Sequence, residues 1–512
     1  MKLKHFSKNL FFIPIAAGAL LCSCVASEDE DNKNTNTVDP ESSFTYDVNG
    51  NVTFFDSTLQ EDSEYDEKEF KNTITINFNG TNKPRIDPES TEGVEITANE
   101  EKGEAHLVIR SEKKINYIVK GSSKNGSLMI FSQKKFKLTL DNLNLSNDAG
   151  LPAISSQTKK RCFIEPIGTC TIADAEVYSR VGTAYEKPEG TYLDEEDKYY
   201  DAKGAIFSEG ELIFVGSGTL NVTGNCKHAI CSDQYVRINS SEVTVNVKGA
   251  KKDGIHTNDA VLINEGTLNI SGITIGIGDE NASKKKFNGI QCEKGYIVIK
   301  GGKINIESPG IGIMADKDDF SKDDDMTEKS FIYIDGGEIN IETSEEKGHG
   351  ISTNNHLIIK GDNTKISIKA LGTSAKGLET GVNIAEPESS DEEKGQIVLA
   401  GGTVNLFSVG KVLDPEESVY IWGGTLNAVG GGVASEKIKA SQPCAIASFP
   451  AGVGADEEIR FDDTSLGKTF VKLVGDVKVV VSNSTLAAGS KPTVSIGSNP
   501  ADTVKVLPDE VK

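Results

Sequence analysis

One eight-residue pattern constrains this chain more than any other feature: an apolar residue, two others, glycine, one more, then apolar–polar–apolar. It begins at Val215 (VGSGTLNV) and returns at Ile263, Ile299, Ile334, Leu399 and Ile421, with looser copies starting at Ile238 and Ile359. The eight starts lie 23, 25, 36, 35, 25, 40 and 22 residues apart, which sets a unit of 22 to 25 residues with insertions in some units. Self-similarity at such a period marks a stack of repeats, each burying its apolar face only against its neighbours.

A second motif precedes the first in each unit: GAIF at Gly204, HAIC at His228, DGIH at Asp253, NGIQ at Asn288, IGIM at Ile311, HGIS at His349 and KGLE at Lys376. With 51 Gly against 4 Met and one Trp, and no sustained helical period, the units read as short strands and turns. A strand advances about 3.3 Å per residue, so three short strands with their corners use roughly 22 residues. The expected fold class is all-β, a right-handed parallel β-helix with apolar ladders inside. The small residue before each Ile reads as a corner where a Cβ would crowd the chain. Leucine-rich repeats share the period but need a Leu-x-x-Leu-x-Leu pattern, which is absent. The expected layout is residues 73–430 as the solenoid and 431–512 as a β cap or small β-domain that covers the last open edge.

The order of the blocks YIVKGSSKNGSLMI, KLTLDNLNL, AIFSEGELIFVGSGTLNV, HAICSDQYVRI and DGIHTNDAVLINEGTLNI resembles the carbohydrate-binding domain-containing family of pectate-lyase-like parallel β-helix surface proteins. The resemblance implies an extracellular protein that binds cellulosic or pectic glycans and carries calcium. Family members often show Asp-Gly-Ile-x-x-x-Asp in successive coils. Only Asp253-Gly254-Ile255 keeps the first half of that motif, with His228, Asn288, His349 and Lys376 standing where Asp is expected elsewhere.

Five residues after the start of each second motif stand Glu209, Asp233, Asn258, Glu293, Asp316 and Asn354. Stacked at strand spacing, these oxygens form a ladder whose carboxylates repel unless a cation lies between them. Calcium accepts six to eight oxygens of mixed type, so Asp233, Asp253, Asn258, Asp259, Glu293 and Asp316 are the candidate metal ligands. The plainer reading is a row of solvated turn residues, since turns favour Asp and Asn. Two insertions leave this same corner, 316–329 and 383–395, and mark an elaborated edge. A second ladder, Asn221, Asn269, Asn305, Asn340, Asn405 and Asn427, lies between inward residues and so points outward. Asn269, Asn305 and Asn340 are candidate glycan contacts, together with Trp422, whose ring can stack on a sugar. Asn–Asn stacking alone also accounts for the row.

Catalysis has little support. No nucleophile elbow, phosphate loop or metal-protease motif occurs, and Lys376 is the best candidate base if the chain is a calcium-dependent uronate lyase. An adhesin or structural role is a further alternative.

The N-terminus carries Lys2, Lys4 and Lys8 before a short apolar run from Leu10 to Leu21, too short to span a bilayer, and reads as a signal peptide over 1–23. The run ends in Leu21-Cys22-Ser23-Cys24, which resembles the bacterial lipobox with Cys24 as the lipid anchor. The acidic run Ser27 to Asp31 is similar to that of Bacteroidetes lipoproteins sent to the outer surface. Residues 24–72 read as an acidic tether, placing the protein on the outer membrane facing outward. With 54 Lys+Arg against 77 Asp+Glu the net charge is −23, which excludes a phosphate-backbone partner. The expected partners are polysaccharide and, through the lipid, membrane. The remaining cysteines lack metal spacing and read as small core residues, with Cys162–Cys170 or Cys226–Cys231 disulfides the alternative.

Overall fold

The computed structural model describes residues 42–46, 52–56, 67–80, 82–99, 101–179, 200–274, 287–316, 330–381, 394–433 and 435–508. The chain divides into two compact units, Met1–Val38 and Asp39–Lys512, and every described residue belongs to the second. The signal peptide, Cys24 and most of the two insertions lie outside the described residues.

The protein is all-β; the described residues form two three-residue 3-10 turns, one hydrogen-bonded sheet of 35 strands and two small sheets of two and four strands. Its connectivity is ring-like. Each repeat sends a strand through three rows in turn, and each strand pairs in parallel with the one three places further along. In the first row Ile206 pairs with Ile230, Ile230 with Ile255, Ile255 with Ile290 and Ile290 with Ile313. In the second row Val236, Val261, Ile297, Ile332 and Leu357 align in the same way. In the third the partners are Leu220, Val245, Leu268, Ile304, Ile339 and Ile366. All of these side chains join one continuous buried cluster, and each fully buried aliphatic contributes roughly 1.5–3 kcal/mol. The apolar period-two pattern thus becomes three inward columns, while the intervening residues face outward.

The corner glycines are required by close approach. A Cβ on Gly289 would lie 2.6 Å from the carbonyl oxygen of Gly312, and one on Gly312 would lie 2.7 Å from that of Gly350. The same main chain carries the bonds between repeats, with Ile290 N–H donating to Gly312 O at 2.9 Å and Ile313 N–H to Gly350 O at 3.0 Å.

Antiparallel strands close both ends of the stack, where a parallel edge would otherwise be open. Asn82–Asp87 pairs on Thr73–Asn79, and Val94–Asn99 on Gly103–Ser111. At the other end Val477–Ser482 pairs with both Val419–Gly431 and Cys444–Phe449. Residues beyond 431 act as a cap, since Cys444, Ile446 and Val480 complete the main core. They also form a small apolar cluster of their own, around Phe449, Val479 and Ile496, that packs on Phe407 and Val429.

Candidate functional site

The residue that opens each first-row strand has a backbone role that no local pattern reveals. Asp253 N–H donates to His228 Nδ1 at 3.2 Å, Asn288 N–H to Asp253 Oδ1 at 2.8 Å, Ile311 N–H to Asn288 Oδ1 at 2.8 Å, and Lys376 N–H to His349 Nδ1 at 3.0 Å. His, Asp and Asn interchange here because each carries an acceptor at the δ1 position that reaches the main chain of the next repeat. A buried N–H left without that acceptor would cost about 1–3 kcal/mol.

Around Asp253 this capping builds an electrostatic cluster. His256 Nδ1 lies 3.0 Å from Asp253 Oδ2, and its Nε2 lies 3.3 Å from Glu293 Oε1. The His228 and His256 rings stack, with centroids 4.1 Å apart and planes 27° from parallel. Burial and the neighbouring His256 charge push the His228 pKa down to about 4, so its Nδ1 lone pair stays available to Asp253 N–H. Burial also opposes charge on His256, but hydrogen bonds to Asp253 and Glu293 outweigh it and hold its pKa up at about 9. Burial opposes the charge on Asp253, but His256 bonds to its Oδ2 and Asn288 N–H to its Oδ1, and its carboxyl is held well below the usual carboxylate range. His256 is therefore a fixed cation between two carboxylates.

The expected metal ligands are placed as follows. Asp233 receives two 2.8 Å bonds from Lys203 Nζ. Asp316 Oδ1 accepts from Gln291 Nε2 at 3.1 Å, and Glu293 is held by His256. Asn258 and Asp259 sit on the following turn, where their carbonyls accept from Lys294 and Tyr296 N–H. Among the described residues, the one trio of His, Cys, Asp or Glu ligand atoms within 4.8 Å of one another is His228, Asp253 and His256. Two imidazoles and one carboxylate suit zinc-like ions more than calcium, which takes oxygen. Even zinc fits poorly, since a metal lies in the plane of each ligating ring. The rings here stack, with centroids 4.1 Å apart, and each spends its Nδ1 on Asp253. The positive charge within the cluster is that of protonated His256.

Lys376 bonds to Glu379 and lies 2.8 Å from Asp414. Burial lowers its pKa, but bonds to Asp414 and Glu379 outweigh that and raise it, which favours the protonated amine over a free base.

The asparagine row stands outward on the third row. Asn246 Nδ2 donates to Asn221 Oδ1 at 3.0 Å, Asn269 to Asn246 at 2.8 Å, Asn305 to Asn269 at 2.7 Å and Asn340 to Asn305 at 3.0 Å. Asn246 is a member that the sequence pattern missed. The turn between Ile238 and Val245 is two residues longer than that between their partners Ile263 and Leu268. Asn269, Asn305 and Asn340 are half-exposed; Asn269 and Asn305 have each spent one donor and one acceptor on their neighbours, and Asn340 has spent a donor. Trp422 lies elsewhere, at a bulge where Ile421 pairs with Leu399 and Gly423 with Ala400. It tilts against Tyr420 at 5.4 Å and packs on the apolar outer stripe of the second row. The described cysteines are free thiols, all but Cys226 buried.

Residues 103–385 and 321–490 match the family model described as carbohydrate-binding domain-containing protein, together most of the chain. The chain belongs to that family. Among curated proteins nothing matches. A solved structure described as a polysaccharide lyase-like protein from C. thermocellum, a gadolinium derivative, is 18% identical, covering 61% of this chain and 98% of that one with a TM-score of 0.37. A likeness at that score carries no argument about this chain.

Proposed function

We propose that this protein is a cell-surface lipoprotein, anchored through Cys24 and folded as a right-handed parallel β-helix, that binds polysaccharide of cellulosic or pectic type without cleaving it. The helix reading is supported by parallel pairing between every third strand. The observation that carries the function is the outward, half-exposed amide row in a chain of a carbohydrate-binding family. Amides and threonine hydroxyls spaced along a flat sheet can exchange hydrogen bonds with successive sugars of an extended glycan. A lyase would need a base, and Lys376 held between Glu379 and Asp414 is a poor one.

Calcium enters this proposal as a bridge to acidic glycans and not as a resident ion. The favouring observation is that Asp233 and Glu293, each following a first-row strand, keep side chains 21% and 30% exposed at the same corner. An array of neutral and acidic plant polysaccharides, probed with calcium and with chelator, tests the reading. Binding to at least one glycan class is expected, and no binding under either condition contradicts it.

A further inference from the structure

The amide row carries a hydroxyl at two positions, Thr171 between Asn144 and Asn221, and Ser367 at a gap between Asn340 and Asn405. Asn340 pairs in register with Ser367, and Ser367 with Asn405, so a hydroxyl stands where every neighbouring repeat presents an amide. Below the gap Asn340 Nδ2 donates to Asn305 Oδ1, and above it Asn427 Nδ2 donates to Asn405 Oδ1 at 2.9 Å. The hydroxyl is too short to bridge them. Among the described residues, Asn340 Oδ1, Ser367 Oγ and Asn405 Nδ2 have no hydrogen-bond partner, and Asn405 is exposed. Between Asn221 and Asn340 the amides bond to one another.

An aromatic ring stands beside the same gap. Phe407 lies two residues beyond Asn405 on the same outward face, about 6.6 Å along the strand, and pairs with Lys369. Phe470, supplied by the C-terminal unit, meets Phe407 edge-on with centroids 5.1 Å apart. Lys369 Nζ lies 4.5 Å from the centre of the Phe470 ring. Phe470 is nevertheless 47% exposed, the one aromatic among the exposed large apolar side chains of the described residues.

We propose that Phe470, Asn340, Ser367 and Asn405 form a subsite for one pyranose ring of an uncharged polysaccharide. The inference rests on the polysaccharide-binding reading above and specifies where and what it binds. The apolar C–H face of the sugar stacks on Phe470, while its hydroxyls donate to Asn340 Oδ1, accept from Asn405 Nδ2 and exchange with Ser367 Oγ. Charge selects the uncharged class. The cations beside the gap are Lys369, paired with Glu342 at 3.3 Å, and Lys365, which lies in register with Glu338, so a uronate would meet lysines already faced by glutamates. The third-row strands carry four lysines (Lys248, Lys303, Lys365, Lys369) against three glutamates (Glu307, Glu338, Glu342), close to balance in a chain of net charge −23.

The test measures affinity of the full mature chain for a soluble neutral β-glucan, using Phe470→Ala and Ser367→Asn beside wild type. Ser367→Asn restores the amide that adjacent repeats carry, so it lets Asn340 and Asn405 satisfy each other and closes the subsite without disturbing the fold. Both variants should bind about tenfold more weakly, with the Ser367→Asn melting temperature at or above wild type. Wild-type affinity in either variant overturns the subsite and leaves polysaccharide binding standing. Failure of the wild-type chain to bind any neutral glycan overturns the subsite, and failure on acidic glycans as well removes the polysaccharide-binding reading.

Discussion

Replacing His228 with Asn should flatten the acid limb of stability at the corner it caps. Asn288 performs the same task one repeat beyond Asp253, accepting Ile311 N–H through Oδ1, so the substitution keeps the acceptor and removes the titration. His228 is held at about 4 against an ordinary value of 6.5 by burial and by the charge on His256, with nearby Lys252 adding to it and Asp253 opposing. Between these values the unfolded chain binds the extra proton and the folded one does not. Stability from neutral His228 is therefore complete above pH 6.5 and lost as pH falls toward 4. The size is 6.5 − 4 = 2.5 units, about 3 kcal/mol at 1.36 kcal/mol each. His256 works in the opposite direction. Its pKa is raised to about 9, so its contribution is complete below pH 6.5 and lost as pH rises to 9. This corner is most stable near pH 6.5. Amide exchange over residues 228–256, corrected for intrinsic rates, reads it directly. The stability of His228→Asn relative to wild type should grow by about 3 kcal/mol between pH 7 and pH 4. Other buried histidines titrate alike in both proteins and cancel. Parallel pH profiles would refute the assignment of His228 as the neutral member of the stack.

Gly312→Ala should destabilise the stack by about 1–3 kcal/mol in urea melts, because its Cβ would sit 2.4 Å from Ile341 Cγ2 and 2.7 Å from Gly350 O; an unchanged midpoint would mean the corner is looser than described. Chelator should leave the melting temperature unchanged while weakening binding to pectate and sparing neutral glycans. A resident calcium at hundredfold excess over its dissociation constant would instead add about 2.7 kcal/mol, and its loss on chelation would show as a lowered melting temperature. Cys24→Ala should release the protein from membranes with its circular dichroism intact, and continued membrane association would place the anchor elsewhere.

Much of this architecture is legible in the sequence because each repeat is short and its inward residues alternate. Leu268, Ile304 and Ile339 announce their shared column through spacing alone, and Gly254, Gly289 and Gly312 announce the corner. What cannot be read is chemistry that crosses from one repeat to the next. His228 looks like a departure from an acidic motif until its Nδ1 is seen against the main chain of Asp253, 25 residues on. The acidic ladder looks uncompensated until Lys203 and His256 are found beside it, since neither occupies its column. Phe470 gives no signal at all, lying 65 residues from Asn405 in a segment without the repeat. Short repeats make local patterning readable and leave contacts between repeats hidden, because the residue paired with any position lies one full repeat away.

The central claim is that glycan lies along the outward amide row. Hydroxyl-radical footprinting of the full mature chain, with and without the tightest glycan from the array, tests it most directly because Phe470 is exposed and aromatic rings oxidise readily. The account predicts that glycan protects Phe470 from oxidation, while Val177 (75% exposed on a distant turn) is oxidised equally in both samples. Undiminished oxidation of Phe470 under saturating glycan would contradict it.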